Sequence, residues 1–258
     1  MKITLLNENQ NSQEGLFPNY LIEDFQSIKE ILEIYYNFRK EYENQTIIFT
    51  LDDLNQAKYT CMHATMFHDL DETEGHDLSN IDPKAFENGE HIGHLTTPSE
   101  FFIRKINFEN KCKTTEFVDA CDKGLFLEKS ELELLEKINN DPLPYLDNKI
   151  LFKIIPVQES YYALSGFPNG YFSSDLDPFE NYAVAKHLKD NYDYDLMGIG
   201  ASLLGFIRTN PLSESERENL IKDLFLLYEV EESLHEYFKK TIPLHSNYLF
   251  LKYTEFIE

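Results

Sequence analysis

Five of the eight histidines crowd into one stretch, CMHATMFHDLDETEGHDLSNIDPKAFENGEHIGH, from Cys61 to His94. They are His63, His68, His76, His91 and His94, and Asp69, Asp71, Glu72, Glu74 and Asp77 stand among them. Imidazole nitrogens and carboxylate oxygens are competent ligands for zinc, iron or manganese. His63, His68, His91 and His94 are therefore the candidate metal ligands, with Asp69 beside them. A divalent metal held there would activate water and polarise a substrate, which is the chemistry of a metal-assisted hydrolase. The spacing argues the other way. His91 and His94 lie three apart, but Gly93 interrupts any helix that would align them, and no HExxH pattern is present. The plain expectation is a long polar surface excursion with solvated histidines and no cofactor.

Other carboxylates have simpler uses. Asp175, Asp177 and Glu180 form a second acidic set, yet Asp177, Pro178 and Glu180 fit the N-cap, N1 and N3 positions of a helix. Asp52 and Asp53 follow a strand-like run, a place for a catalytic carboxylate in α/β proteins and equally for a helix cap; the cap is expected. Cys61 and His63 are two apart, and proximity in sequence builds no catalytic dyad. Cys61, Cys112 and Cys121 lack CxxC spacing. Gly198 and Gly200 lack the third glycine of a dinucleotide loop and mark a hairpin turn. No catalytic residue is assigned.

The elements around these residues follow from periodicity. Lys2 to Leu6 reads as a short strand, and Asn7 to Asn19 as a loop. Ile22 to Tyr42 carries apolar residues at helical spacing. TIIFTL (Thr46–Leu51) reads as a buried strand and FFIRKINF (Phe101–Phe108) as another. Thr114 to Ala120 suggests a short helix. Ser130 with Glu133 suggests a capping box for the next helix, stopped by Asp141 and Pro142. KILFKIIPV (Lys149–Val157) is a strand, and a helix starts at Asp177. Asp195–Ile199 and Leu203–Ile207 make a hairpin, Ser213 and Glu216 cap another helix, Glu231 to Lys240 continues helical, and NYLFLKY (Asn247–Tyr253) is a terminal strand. The sum is an α/β or α+β fold, a mixed β-sheet covered by amphipathic helices. DPLPYLDN, from Asp141 to Asn148, is the candidate boundary between two subdomains, 1–145 (α/β) and 149–258 (α+β).

Composition sets the partner class. Asp and Glu number 46 against 23 Lys and Arg, a formal charge of −23 over 258 residues. Such a surface repels phosphate backbones and anionic membranes and suits a basic protein partner. The N-terminus lacks a signal-like apolar region, and no run of 18 apolar residues exists, so a cytoplasmic protein without a membrane span is expected. Nothing fixes an oligomeric state. If a binding face exists, Tyr171, Phe172, Asp175 and Phe179 are its candidates, aromatic anchors with a polar rim. The competing use for Tyr171 and Phe172 is as core residues of the crossover.

From Lys149 to Tyr253 the chain resembles a bacterial family, domain of unknown function 4253. The likeness rests on Ile155-Pro156-Val157, the segment around Gly166 and Gly170, and the helix holding Tyr182 and Leu188. It continues in the strands Tyr192–Met197 and Leu204–Phe206, the helix ending near Tyr228, and the aromatic strand Tyr248–Tyr253. Family members carry tryptophans near the glycine segment and in the last strand; this chain has none, and Tyr171 and Phe250 are expected in their place. The resemblance implies no established reaction. It implies a small soluble bacterial protein, with a link to toxin-immunity systems in some relatives. The leading expectation is thus a non-enzymatic protein-binding module, immunity-like in one form. The metal-assisted hydrolase is the alternative, and a nucleic-acid mimic with a long acidic ridge is the second.

Overall fold

The computed structural model describes residues 1–6 and 16–257. In chain order the elements are β1 (Lys2–Leu5), β2 (Asn19–Glu23), α1 (Ile28–Glu41), β3 (Thr46–Phe49), α2 (Leu54–Phe67), β4 (Phe86–Glu87), β5 (Glu90–His91), α3 (Phe101–Cys112), α4 (Phe117–Asp122), β6 (Leu125–Phe126), α5 (Lys129–Asn140), β7 (Ile150–Ile155), α6 (Pro178–Tyr192), β8 (Asp195–Ile199), β9 (Leu203–Ile207), α7 (Glu214–Leu227), β10 (Tyr228–Glu229), α8 (His235–Thr241) and β11 (Tyr248–Lys252). Most of the expected loop from Asn7 lies outside the described residues; its end, Asn19, opens β2.

Seven strands form one mixed sheet in the order β1-β2-β7-β3-β8-β9-β11. β3 runs parallel to β8, and every other pairing in the sheet is antiparallel. This is the helix-covered mixed sheet that the strand and helix patterns imply. The division at Asp141–Asn148 is corrected. β7 lies between β2 and β3, so strands from both sides of that stretch alternate in one sheet. The stretch has linker composition, but it is docked. The Asp147 N–H donates to Leu51 O at 2.8 Å, and the Asp147 carboxylate takes the Leu54 N–H at 2.9 Å.

Two further readings change for local reasons. FFIRKINF is helix α3, not a strand. Phe101, Arg104, Phe108 and Cys112 are buried at helical spacing, and Thr97 and Glu100 start the chain turning through a capping box with Pro98 at N1. α5 opens two residues earlier than Ser130 and Glu133 suggest, on a box made by Glu128 and Glu131. The caps at Asp177/Glu180 and Ser213/Glu216 fall where expected.

The end of β3 carries the tightest junction. Asp53 caps α2, accepting from the Asn55 and Gln56 N–H groups at 3.1 and 3.0 Å. Its neighbour Asp52 is buried and caps something else, the β8–β9 turn. Its Oδ2 accepts from the Ser202 N–H at 2.7 Å and the Ser202 hydroxyl at 2.6 Å, and its Oδ1 accepts from the Leu203 N–H at 3.3 Å. Gly200 lets the two segments approach this closely. A Cβ there would stand 1.7 Å from Asp52 Oδ1. Burial pushes the Asp52 carboxyl up to about 6, against the opposing pull of the Ser202 and Leu203 hydrogen bonds.

A folded-state value above the unfolded one means that the fold holds the proton more tightly. The stability contributed by Asp52 is therefore full below about pH 4 and is lost as pH rises through 6. At roughly 1.4 kcal/mol per pKa unit the loss is about 3 kcal/mol. Urea melts of the isosteric Asp52→Asn variant should lack this component, so wild-type stability relative to the variant should fall by that amount between pH 4 and 7. Parallel profiles would contradict the assignment. Gly200→Ala should cost at least about 2 kcal/mol at any pH, because the hairpin and the carboxylate must part.

Candidate interaction face

Helix α2 is turned inside out. Its buried residues are small, Ala57, Thr60, Cys61, Ala64 and Thr65, while Tyr59, Met66 and Phe67 are exposed. Met66 is 67% and Phe67 70% exposed. The buried threonines satisfy their hydroxyls locally: Thr60 donates to Gln56 O at 3.0 Å and Thr65 to Cys61 O at 2.8 Å. Small side chains with internally bonded hydroxyls let the helix seat closely, and the large side chains are left pointing outward. A helix that served only the core would place them the other way round.

The outward side chains form a ribbon with the loop after Gly170. The Tyr59 and His63 rings are 4.2 Å apart between centroids, His63 and Tyr171 5.0 Å, and Tyr171 and Phe172 5.4 Å. Phe67 meets Tyr171 edge-on at 6.2 Å. Gly170 sets the loop. Its φ is +109°, and a Cβ would fall 1.9 Å from Leu176 O, so only glycine fits. The Asp175 N–H closes the turn on Phe172 O at 3.0 Å, and the Leu176 N–H bonds Tyr253 O at 2.8 Å.

The expected binding residues separate. Tyr171 and Phe172 lie on this face, part-exposed and exposed. Asp175 and Phe179 do not reach it. Asp175 is buried, and its Oδ1 accepts the Glu255 N–H at 3.1 Å. Phe179 is a core residue packed against Phe108 at 5.4 Å. Phe250 is likewise fully buried on β11.

Three of the four candidate metal ligands serve different local structures. His63 is a member of the aromatic ribbon. His68 caps the end of α2 and packs edge-on against Phe179 at 4.9 Å; burial of its ring holds its pKa below the ordinary histidine value. His91 Nε2 lies 2.7 Å from Glu100 Oε1, and its Nδ1 accepts the Gly93 N–H at 3.1 Å. His94 is exposed. Among the described residues, no group of three or more His, Cys, Asp or Glu side chains is placed to hold a metal ion. Asp177 and Glu180, offered as an alternative acidic set, complete the capping box of α6.

The segment read as a solvated excursion is also corrected. Its first part, through Phe67, is α2. The rest is pinned to α3: Arg104 holds Asp71 with two hydrogen bonds at 2.6 and 2.7 Å, and Asn107 Nδ2 donates to Leu70 O and Glu72 O. His76 Nε2 meets Asn107 Oδ1 at 2.9 Å, and Leu70, Ile81, Ala85 and Leu95 are buried.

Sequence reasoning missed Tyr59, Met66 and Phe67. The signal that finds them is an inverse one: small residues at 57, 60, 61, 64 and 65 share a helical face, and large ones at 59, 63, 66 and 67 occupy the other. Comparison of the chain with protein-family models, curated proteins and solved structures finds no match.

Proposed function

We propose that this chain is a protein-binding module whose α2 and Tyr171–Phe172 face captures a basic, amphipathic segment of a partner protein. The observation that carries the reading is the inverted packing of α2. Exposing Met and Phe while burying Ala and Thr gives up apolar burial that the fold could have used, at roughly 25 cal/mol per Å². A contiguous apolar patch of this kind marks an interaction site more often than a neutral surface. Aromatic anchors with an adaptable methionine are the side chains of binding hot spots.

Charge selects the partner. A molecule at −23 attracts basic proteins over several ångströms and speeds their encounter, and it repels nucleic acids. Among the described residues no helix is long and apolar enough to cross a membrane. The reading is of a cytoplasmic encounter with a basic protein, and neutralising a basic toxin is one form of it, in line with the resemblance of the C-terminal half. The hydrolase reading gains no such support, because His63, His68 and His91 each serve a different local contact and His94 is exposed.

A synthetic Lys/Leu amphipathic helical peptide is a suitable probe. Binding should be measurable at low salt and weaken steeply as salt is added. The Met66→Ser/Phe67→Ser double variant should lose about tenfold or more in affinity, as removal of a hot spot does. Its folding stability should change by less than about 1 kcal/mol, since both side chains are exposed. Equal peptide affinity in variant and wild type would overturn the proposal.

A further inference from the structure

The apolar anchors of a basic segment would lie on α2, but its charge needs a place of its own. Beyond the 170–175 loop the surface opens into a groove of about 540 Å³ between Phe126 and Phe256, floored by Ser173 and Ser174. Phe172 and Phe256 also share a smaller neighbouring cleft with Gln56 of α2, so the groove continues the face described above. Both rings of the groove are presented to solvent, Phe126 at 45% and Phe256 at 64% exposure.

The groove is built, not incidental. Lys252 is wholly buried beneath it and ties its two walls together. The ammonium donates to Phe126 O at 2.7 Å and to Glu255 O at 2.9 Å, and it pairs with Glu131 Oε1 at 2.8 Å. Burial lowers the pKa of this lysine, with Glu131 opposing the shift. On the C-terminal wall the Glu255 N–H is held by Asp175, and the Thr254 hydroxyl donates to Phe256 O at 2.5 Å. Both rings therefore stand on backbone segments fixed to one side chain.

The charges around the groove are unbalanced. Asp122, Glu128, Glu131, Glu255 and one cation, Lys123, line it. Glu131 is committed to Lys252, and Lys123 lies 3.7 Å from the carboxylate of Glu180. Among the described residues Asp122, Glu128 and Glu255 form no ion pair, although Glu128 and Glu255 also act on the Lys252 charge. Two exposed aromatic faces with three such carboxylates nearby recognise a cation, and a planar guanidinium stacks on rings better than an ammonium. A second copy of this chain brings the same negative charge and is a poor occupant.

We infer that the Phe126–Phe256 groove is the subsite for an arginine side chain of the partner segment. The inference rests on the protein-binding reading above and adds the chemistry that gives it charge specificity. The test is an amide NMR titration of the intact protein with arginine amide, lysine amide and citrulline amide, each acetylated at its α-amine so that only the side chain can carry charge. Arginine amide should give saturable shifts at Gly124, Phe126, Ser173, Glu255 and Phe256, lysine amide weaker ones, and the neutral citrulline amide none there. Phe126→Ala/Phe256→Ala should weaken arginine amide about tenfold, and Met66→Ser/Phe67→Ser should leave it unchanged. Both groove side chains are exposed, and a thermal melt checks that the double variant folds.

Shifts scattered over the acidic surface, shifts equal for citrulline amide, or undiminished binding by the groove variant would overturn the inference. The two proposals fail separately. If the α2 variant loses the amphipathic peptide while arginine amide ignores the groove, only the arginine subsite falls. If arginine amide fills the groove while the α2 variant keeps the peptide, the α2 face falls.

Discussion

The architecture depends on one buried carboxylate. Asp52 closes the β8–β9 turn with three hydrogen bonds, and the next residue, Asp53, starts α2. The same turn passes the constraint on. Ser202 O accepts the Tyr253 N–H at 3.1 Å, and the Tyr253 hydroxyl donates to Gly200 O at 2.8 Å. Asn169 Nδ2 donates to Gly200 O at 3.1 Å, and Asn169 Oδ1 lies 3.1 Å from the Thr60 hydroxyl, sharing its proton with Gln56 O. The start of α2, the glycine loop before Tyr171 and the C-terminal turn before Phe256 are thus all referred to the end of β3. Burying a carboxylate for this purpose costs free energy at neutral pH, as its raised pKa shows. The return is positional: three separate segments present their aromatic rings on one side of the molecule.

A similar logic applies at Lys252. A fully buried ammonium is costly unless every proton finds an acceptor. Here two carbonyls and one carboxylate supply them. Replacing such a lysine with an apolar residue could match it in stability, but it would not fix two backbone segments to a common point. At both places the fold uses buried charge to hold chain segments distant in sequence in register. The surface they hold up is aromatic and surrounded by carboxylates, a combination with little value to the fold itself.

Much of the sheet was legible because its strands are rich in branched and aromatic residues and end in clear turns. β3, β7, the β8–β9 hairpin and β11 all follow from that pattern, as do the caps of α6 and α7. FFIRKINF misleads because its apolar residues satisfy a two-residue and a 3.6-residue period at once over so short a run; the deciding cap lies upstream at Thr97 and Glu100. The subdomain boundary misleads because linker composition says nothing about docking, which depends on Leu51 and Leu54 far away in sequence. β2 is hidden because NYLIE is short and runs into a helical pattern.

Of the face, Tyr171 and Phe172 were found from their aromatic and polar neighbours. The α2 contribution was not, because helix recognition looks for large apolar residues facing inward and α2 does the reverse. His63 drew attention as a ligand; its ring lies tilted between those of Tyr59 and Tyr171. The most direct measurement is photo-crosslinking from within native cells, with a benzoylphenylalanine placed at Phe67, at Phe172, or at Val118, an exposed apolar position on α4. One basic protein should be joined at positions 67 and 172 and absent at 118. No adduct at 67 and 172, or equal adducts at 118, would contradict this.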